Sequence, residues 1–317
     1  MLAKLAEAFR AIEIAMPQAS PTIRSSALTA LLEGLVDYAG LFPPTKLSME
    51  AAVENYAAYA NGKFSWMLGR FVVPAARLAE FEIALAGLSQ TRAKWSLSAL
   101  LGHDIEADIK QVLEFNRQHA PEIAISSVEL KVVNPADIFR AHMLIPKTLG
   151  AFFEIPLSAD LQGCVFALKE CGRYAKIRTG GETPEMIPPS AGMAEFISQC
   201  AHAGVTFKAT AGLHHPFRSV HRLTYAADSP SGTMHGFLNV FFAAALLRSG
   251  AIDAAEATEL LNETSPEAFL IDSGSIGWRE HSLTREQIAA ARKNFSLSFG
   301  SCSFSEPVED LQSLSLL

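Results

Sequence analysis

Short apolar, β-rich runs alternate with helix-patterned stretches along most of this chain, and that alternation constrains the fold more than any other feature. The runs begin at Gly34 (GLVDYAGLF), Met67 (MLGRFVVP), Lys94 (KWSLSALLG) and Ser127 (SVELKVVN). They continue at Gly150 (GAFFEIPL), Tyr174 (YAKIRTGG), Val205 (VTFKATAGL) and Ala268 (AFLIDSGSIG). Between them lie segments such as SMEAAVENYAAYA, DIEADIKQVLEFNRQ and SAGMAEFISQCAHAG, the last starting at Ser190 and stopping at Gly204. Strand–helix alternation implies a parallel sheet, and eight repeats in about 250 residues match a (β/α)8 barrel. The expected architecture is therefore an α/β, TIM-like barrel over 34–317, preceded by an N-terminal helical extension over 1–33. A doubly wound open sheet is the alternative, but no GxGxxG follows the first strand to support it.

Side chains of a barrel strand alternate between the helical layer and the axis. In SVELKVV, Val128, Leu130 and Val132 form the apolar set, which turns Glu129 and Lys131 inward. The same parity sends Glu154 of FFEIPL, Lys176 and Arg178 of YAKIRT, Lys208 of TFKATA, Arg70 of LGRFVV and Asp272 of FLIDSG to the axis. A purely structural barrel fills that space with Val, Ile and Leu. Buried charges cost several kcal/mol each unless paired, and internal salt bridges account for only a pair or two. A charged interior of this size points to a ligand-binding or catalytic chamber. A lysine crowded by other cations in a dry pocket loses its proton near neutral pH and becomes a carbonyl nucleophile. Lys176 and Lys208 are candidates for such a pair, with Glu129 or Glu154 moving protons. A carboxylate paired directly with the lysine would instead keep it charged, as a cation that holds an anion.

Two further groups stand at strand exits. HHPFRSVH places His214, His215, Arg218 and His221 just after the seventh strand, where a barrel carries its active site. His214 is assigned general acid–base work, and His215 and Arg218 anion binding. RTGGETP and SGSIGW are glycine-bearing exits whose backbone N–H groups suit an oxyanion or phosphate. That adds Thr179, Gly180 and Gly181, and Ser273, Gly274 and Ser275, to the substrate-binding set.

The order FFEIPL, KIRTGG, FKATAG, IDSGS resembles the last four strands of the class I deoxyribose-phosphate aldolase group over roughly 127–277. The resemblance implies a Schiff-base role for Lys176, a second-lysine role for Lys208 and a phosphate-binding turn at Ser273–Ser275. The chain departs from the pattern where AGLHH replaces a paired glycine, and where Leu130 stands in the slot of the fourth-strand acid.

Composition narrows the partners. With 26 Lys+Arg against 33 Asp+Glu there is no basic face for nucleic acid. The longest apolar run, GFLNVFFAAALL, is too short to span a bilayer and reads as a buried helix. Cys164, Cys171, Cys200 and Cys302 form no CxxC pair and read as reduced thiols of a cytoplasmic protein. The expectation is a lysine-dependent, aldolase-type lyase for a small anionic metabolite, with no cofactor and no assigned metal. A divalent-metal lyase or isomerase using Glu129, Glu154, Asp272 and His214 is one alternative, and a non-catalytic anion-binding barrel is another. Homo-oligomerisation is left open.

Overall fold

The computed structural model of the chain describes residues 26–88, 94–157 and 160–317. Of the expected N-terminal extension, helix α1 (Ala27–Leu32) is described, whereas residues 1–25 lie outside the described residues. The chain continues through β1 (Val36–Tyr38), α2 (Met49–Ala60), β2 (Leu68–Pro74), α3 (Leu78–Ala86), β3 (Trp95–Leu100) and α4 (Ile105–His119). Next come β4 (Ile123–Lys131), α5 (Pro135–Leu144), β5 (Gly150–Glu154), α6 (Leu161–Cys171), β6 (Tyr174–Arg178), α7 (Ser190–Ala203) and β7 (Phe207–Thr210). After β7 the chain makes a hairpin, β8 (Ser219–Arg222) and β9 (Ser231–Met234). Helices α8 (Phe237–Ser249) and α9 (Ala254–Asn262) follow, then β10 (Phe269–Ile271), β11 (Ser275–Trp278) and β12 (His281–Thr284). It ends with α10 (Arg285–Asn294), β13 (Ser296–Ser301) and α11 (Ser305–Ser313).

Strands β1 to β7 and β13 close a parallel barrel in the order β1-β13-β7-β6-β5-β4-β3-β2. The fold is thus the (β/α)8 barrel expected from the alternation, with one substitution of strand. The eighth barrel strand is SLSFGS, not AFLIDSGSIG. The Asp272 carboxylate accepts from the Gly274 and Ser275 N–H groups at 2.7 Å and from the Ser275 hydroxyl at 3.0 Å. That Asx-type turn folds the segment back on itself. Strands β10, β11 and β12 then form an antiparallel sheet in the outer layer. Its turn is tied to the helix starts, Ser273 O accepting from Ala27 N–H and Gly274 O from Arg285 N–H.

The local signals are conventional. Asp104 and Asn134 cap α4 and α5, Asp253 and Thr284 form capping boxes for α9 and α10, and α6, α7 and α8 end on left-handed glycines. Ser190 is the first residue of α7 and not its cap; its hydroxyl bonds Asn262 at 2.7 Å. The apolar run 236–247 is the buried helix α8, apolar on every face. Its Asn239 is satisfied by Arg218 N–H and by the carbonyls of Leu260 and Glu263. Outward-facing Phe207 and Phe299 meet Phe196, Phe295, Phe237 and Phe241, which seals the barrel against its helices. No helix among the described residues is long and apolar enough to cross a membrane.

The exits of β6 and β7 touch backbone to backbone. A Cβ on Gly180 would stand 2.8 Å from the Gly212 Cα, and one on Gly212, at φ +77°, would stand 2.7 Å from the Gly180 Cα. Ala211 beside it also takes a left-handed φ of +61°. We therefore expect Gly212→Ala to cost about 2–4 kcal/mol through clash and strain. Ala211→Gly should be neutral or stabilising by up to about 1 kcal/mol. Urea unfolding of both variants checks this; equal and small effects would contradict the close approach.

Candidate active site in the barrel lumen

The inward parity read from the strands holds for seven of the residues it named, on β2, β4, β5, β6 and β7. Register places Glu154 beside Lys176, and Lys176 beside Lys208. The structure adds Asp37, fully buried on β1, which the sequence reading passed over. Its signal was present: in VDY, Val36 and Tyr38 flank an acid of opposite parity.

These residues form one alternating ladder. Near the strands' N-terminal ends, Arg70 N–H donates to Asp37 Oδ1 at 2.7 Å, and the Arg70 guanidinium lies 3.8 Å from the same oxygen. Asp37 Oδ2 accepts from Lys208 Nζ at 2.5 Å and from the Ser298 hydroxyl at 2.8 Å. Lys208 also donates to Glu129 Oε1 at 2.7 Å, an oxygen that accepts from Ser98 at 2.8 Å. The other oxygen, Glu129 Oε2, lies 2.8 Å from Lys176 Nζ. Lys176 lies 3.0 Å from Glu154 Oε2, and Glu154 Oε1 accepts from Arg178 Nε at 3.0 Å. The ladder therefore runs Arg70, Asp37, Lys208, Glu129, Lys176, Glu154, Arg178, from the floor of the barrel to its C-terminal mouth. Lys131, at the exposed end of β4, shares a rim groove with His103 and Arg140.

Of the two states left open for the lysine, this arrangement favours the charged one. Burial alone would lower the Lys176 ammonium, but Glu129 and Glu154 outweigh it and hold its pKa above the ordinary lysine value. Burial would likewise raise the Glu129 carboxyl, yet Lys176 and Lys208 keep it well below the usual carboxylate range. Glu154 is also lowered, Lys176 and Arg178 exceeding the effect of burial. Glu129 stands between the two lysines, one oxygen toward each. One oxygen has a single partner: Glu154 Oε2 is buried and meets the Lys176 ammonium at 3.0 Å, with no second donor among the described residues.

Several assigned residues take other roles. Arg70 sits near the floor, its Nε bonded to Ser126 at 3.2 Å, away from the mouth. Asp272, Ser273, Gly274 and Ser275 are in the outer-layer hairpin, because the Asp272 carboxylate closes that turn on itself; they line neither lumen nor mouth. Thr179 gives its N–H to Thr210 O at 2.9 Å and its hydroxyl to Ala211 O, so its donors hold two strand exits together. Gly180 serves the contact with Gly212, and Gly181 faces Met186, whose sulfur would lie 2.4 Å from a Cβ there. Arg218 donates to His235 Nδ1 at 3.1 Å beneath the β8–β9 hairpin.

The histidine cluster is organised by α11, which the sequence reading did not use. Glu306 and Asp310, one helical turn apart, accept from His214 Nδ1 at 2.7 Å and from His215 Nδ1 at 2.6 Å. His215 stacks on His221 with ring centroids 3.3 Å apart. His214 Nε2 faces Cys302 Sγ at 3.9 Å, just beyond the end of β13. Among the described residues no group of three or more His, Cys, Asp or Glu side chains is placed to hold a metal ion. No protein-family model, curated protein or solved structure matches the chain.

His235 is fully buried between an acceptor and a cation: its Nε2 donates to Pro188 O at 2.8 Å, and its Nδ1 accepts from Arg218. Burial pushes its pKa down to about 4, and Arg218 adds to the effect against the Pro188 bond. The folded pKa lies below the unfolded one, so between pH 6.5 and 4 the unfolded chain takes the proton and the folded one does not. Stability contributed above pH 6.5 is lost as pH falls through that window, by about 3 kcal/mol for this group. His235→Gln keeps a donor and an acceptor without titrating. Urea unfolding should show a shallower loss for the variant between pH 6.5 and 4; parallel curves would contradict the assignment.

Proposed function

We propose that the chain is an enzyme that acts on a small anionic carbonyl compound at the mouth of the barrel, by proton transfer at the carbon next to the carbonyl. The observation that carries this reading is Glu154, a buried carboxylate at the mouth whose Oε2 has Lys176 as its single partner, at 3.0 Å, and whose Oε1 accepts from Arg178. The Oε2 lone pair that Lys176 does not take is the general base of this reading, once an anionic substrate draws Arg178 or Lys176 from the carboxylate. Arg178, about a third exposed, is the cation best placed to meet a carboxylate or phosphate entering from solvent.

In this reaction Glu154 takes the α-proton and the C–H electron pair becomes the enolate. Lys176, as ammonium, and Arg178 hold the charge on oxygen. Return of the proton to another carbon gives an isomerase. Loss of a β-substituent, or cleavage of a C–C bond after a hydroxyl proton is taken, gives a lyase. The resemblance to class I aldolases supports the lyase branch, with one change: the resting Lys176 acts through its charge and not as an imine-forming amine. The acids on either side of it, Glu129 and Glu154, support that change.

Small 2-oxo acids and phosphorylated ketones incubated with the protein in D2O test the reading by NMR. We expect α-deuteration by the wild type, reduced by about 10²- to 10⁴-fold in Glu154→Gln and strongly in Lys176→Met. Borohydride should leave Lys176 and Lys208 unmodified. No exchange across the panel would overturn the reading; a trapped adduct on Lys176 would restore the imine.

A further inference from the structure

Cys302, His214 and Glu306 belong to three separate segments: the exit of β13, the exit of β7 and the first turn of α11. None has a place in the lumen ladder. His214 Nε2 lies 3.9 Å from Cys302 Sγ, and His214 Nδ1 bonds Glu306 Oε2 at 2.7 Å, so the carboxylate fixes which ring nitrogen faces the sulfur. The Tyr225 hydroxyl lies 3.9 Å from the same sulfur, although its ring is largely exposed on the β8–β9 loop. Thr45, in the loop after β1, adds a buried hydroxyl beside the same sulfur. Cys302 continues the inward parity of Ser298 and Gly300, which sets it above the lumen.

We infer that Cys302, His214 and Glu306 form a second, nucleophilic centre at the barrel mouth, which accepts the acyl group of a small ester or thioester. Nucleophile, base and orienting carboxylate in hydrogen-bonded series are what acyl transfer requires. The charges reinforce the geometry. Burial would raise the Cys302 thiol, but His214 and the Thr45 and Tyr225 hydroxyls bring it below its ordinary value. Burial would lower His214, but Cys302 and Glu306 raise it. Both shifts favour a thiolate–imidazolium pair. The titratable groups facing it are Glu306 and Tyr225, with Tyr38 on β1 and His215, His221 and Asp310 further along the cluster.

The steps balance without an external oxidant or reductant. The thiolate attacks the acyl carbon and the carbonyl pair moves to oxygen, where the Thr45 and Tyr225 hydroxyls are the nearest donors. On collapse the bond to the leaving group breaks, and that group departs with the proton of His214 Nε2. Water then attacks the thioester, its proton passes to His214, and the carboxylic acid leaves as the thiolate–imidazolium pair returns. Cys302 and His214 are both buried, and the Tyr225 hydroxyl lies 3.9 Å from the sulfur.

The full chain and p-nitrophenyl acetate provide the test. We expect a burst of one p-nitrophenolate per chain and an acetyl group on Cys302 by peptide mass spectrometry. Cys302→Ala should lose both, and His214→Gln should slow the burst by about 10²-fold or more. In case a variant fails to fold, iodoacetamide labelling of the wild type across pH reads the same property. Cys302 should be alkylated well below the ordinary thiol value of about 8.5, where partly exposed Cys171 stays inert. No Cys302 adduct with either reagent, or labelling of Cys302 only above that value alongside Cys171, overturns the inference.

Discussion

Glu129 is the residue on which the lumen depends. Its two oxygens each meet one lysine, Lys208 at 2.7 Å and Lys176 at 2.8 Å, in a space that excludes solvent from all three. Taking any of these ions out of water costs several kcal/mol, and a single pair seldom recovers it. The ladder answers that cost by giving each of its two lysines two carboxylates and each of its carboxylates at least two cation contacts. The serine hydroxyls of Ser98 and Ser298 take up remaining lone pairs. The charges are fixed in the folded state before any ligand arrives, which is the condition for electrostatic stabilisation of a developing anion.

That arrangement also divides the barrel by depth. At the floor, Arg70 and Asp37 are bound by backbone, serine and lysine, and serve the fold. At the mouth, Arg178 and Lys131 meet solvent, and Glu154 keeps one oxygen whose single partner is Lys176. The second centre, around Cys302, is built on the neighbouring exits of β7 and β13 and is held by α11. Both centres use the C-terminal ends of strands, where a (β/α)8 barrel can vary its loops without disturbing its core.

The alternation of strands and helices made the barrel legible in the sequence, and strand parity made its charged interior legible too. Parity is local, so Lys176 could be turned inward from four neighbouring residues. The charge state of that lysine is not local. Lys208 finds Asp37 171 positions away, and His214 finds Glu306 92 positions away, so no window along the chain contains either pair. The last strand escaped for a different reason. Ser296, Ser298 and Ser301 break the apolar pattern that marks a strand, and inward Ser298 is polar because it faces Asp37. FLIDSGSIG has a better apolar signature, yet the Asp272 turn within it makes a hairpin. The aldolase-like phosphate turn was placed on that hairpin, and it moved with it.

The account rests on Lys176 being a cation held between two acids. Isotope-labelled lysine ε-groups, followed by heteronuclear NMR through a pH titration of the folded protein, report that state directly. The account predicts that the Lys176 signal remains that of an ammonium through the ordinary lysine range of about 10.4, and that Glu129→Gln lowers its transition. A Lys176 signal that titrates near neutral pH in the wild type would contradict the ladder and return the lysine to the role of a free amine.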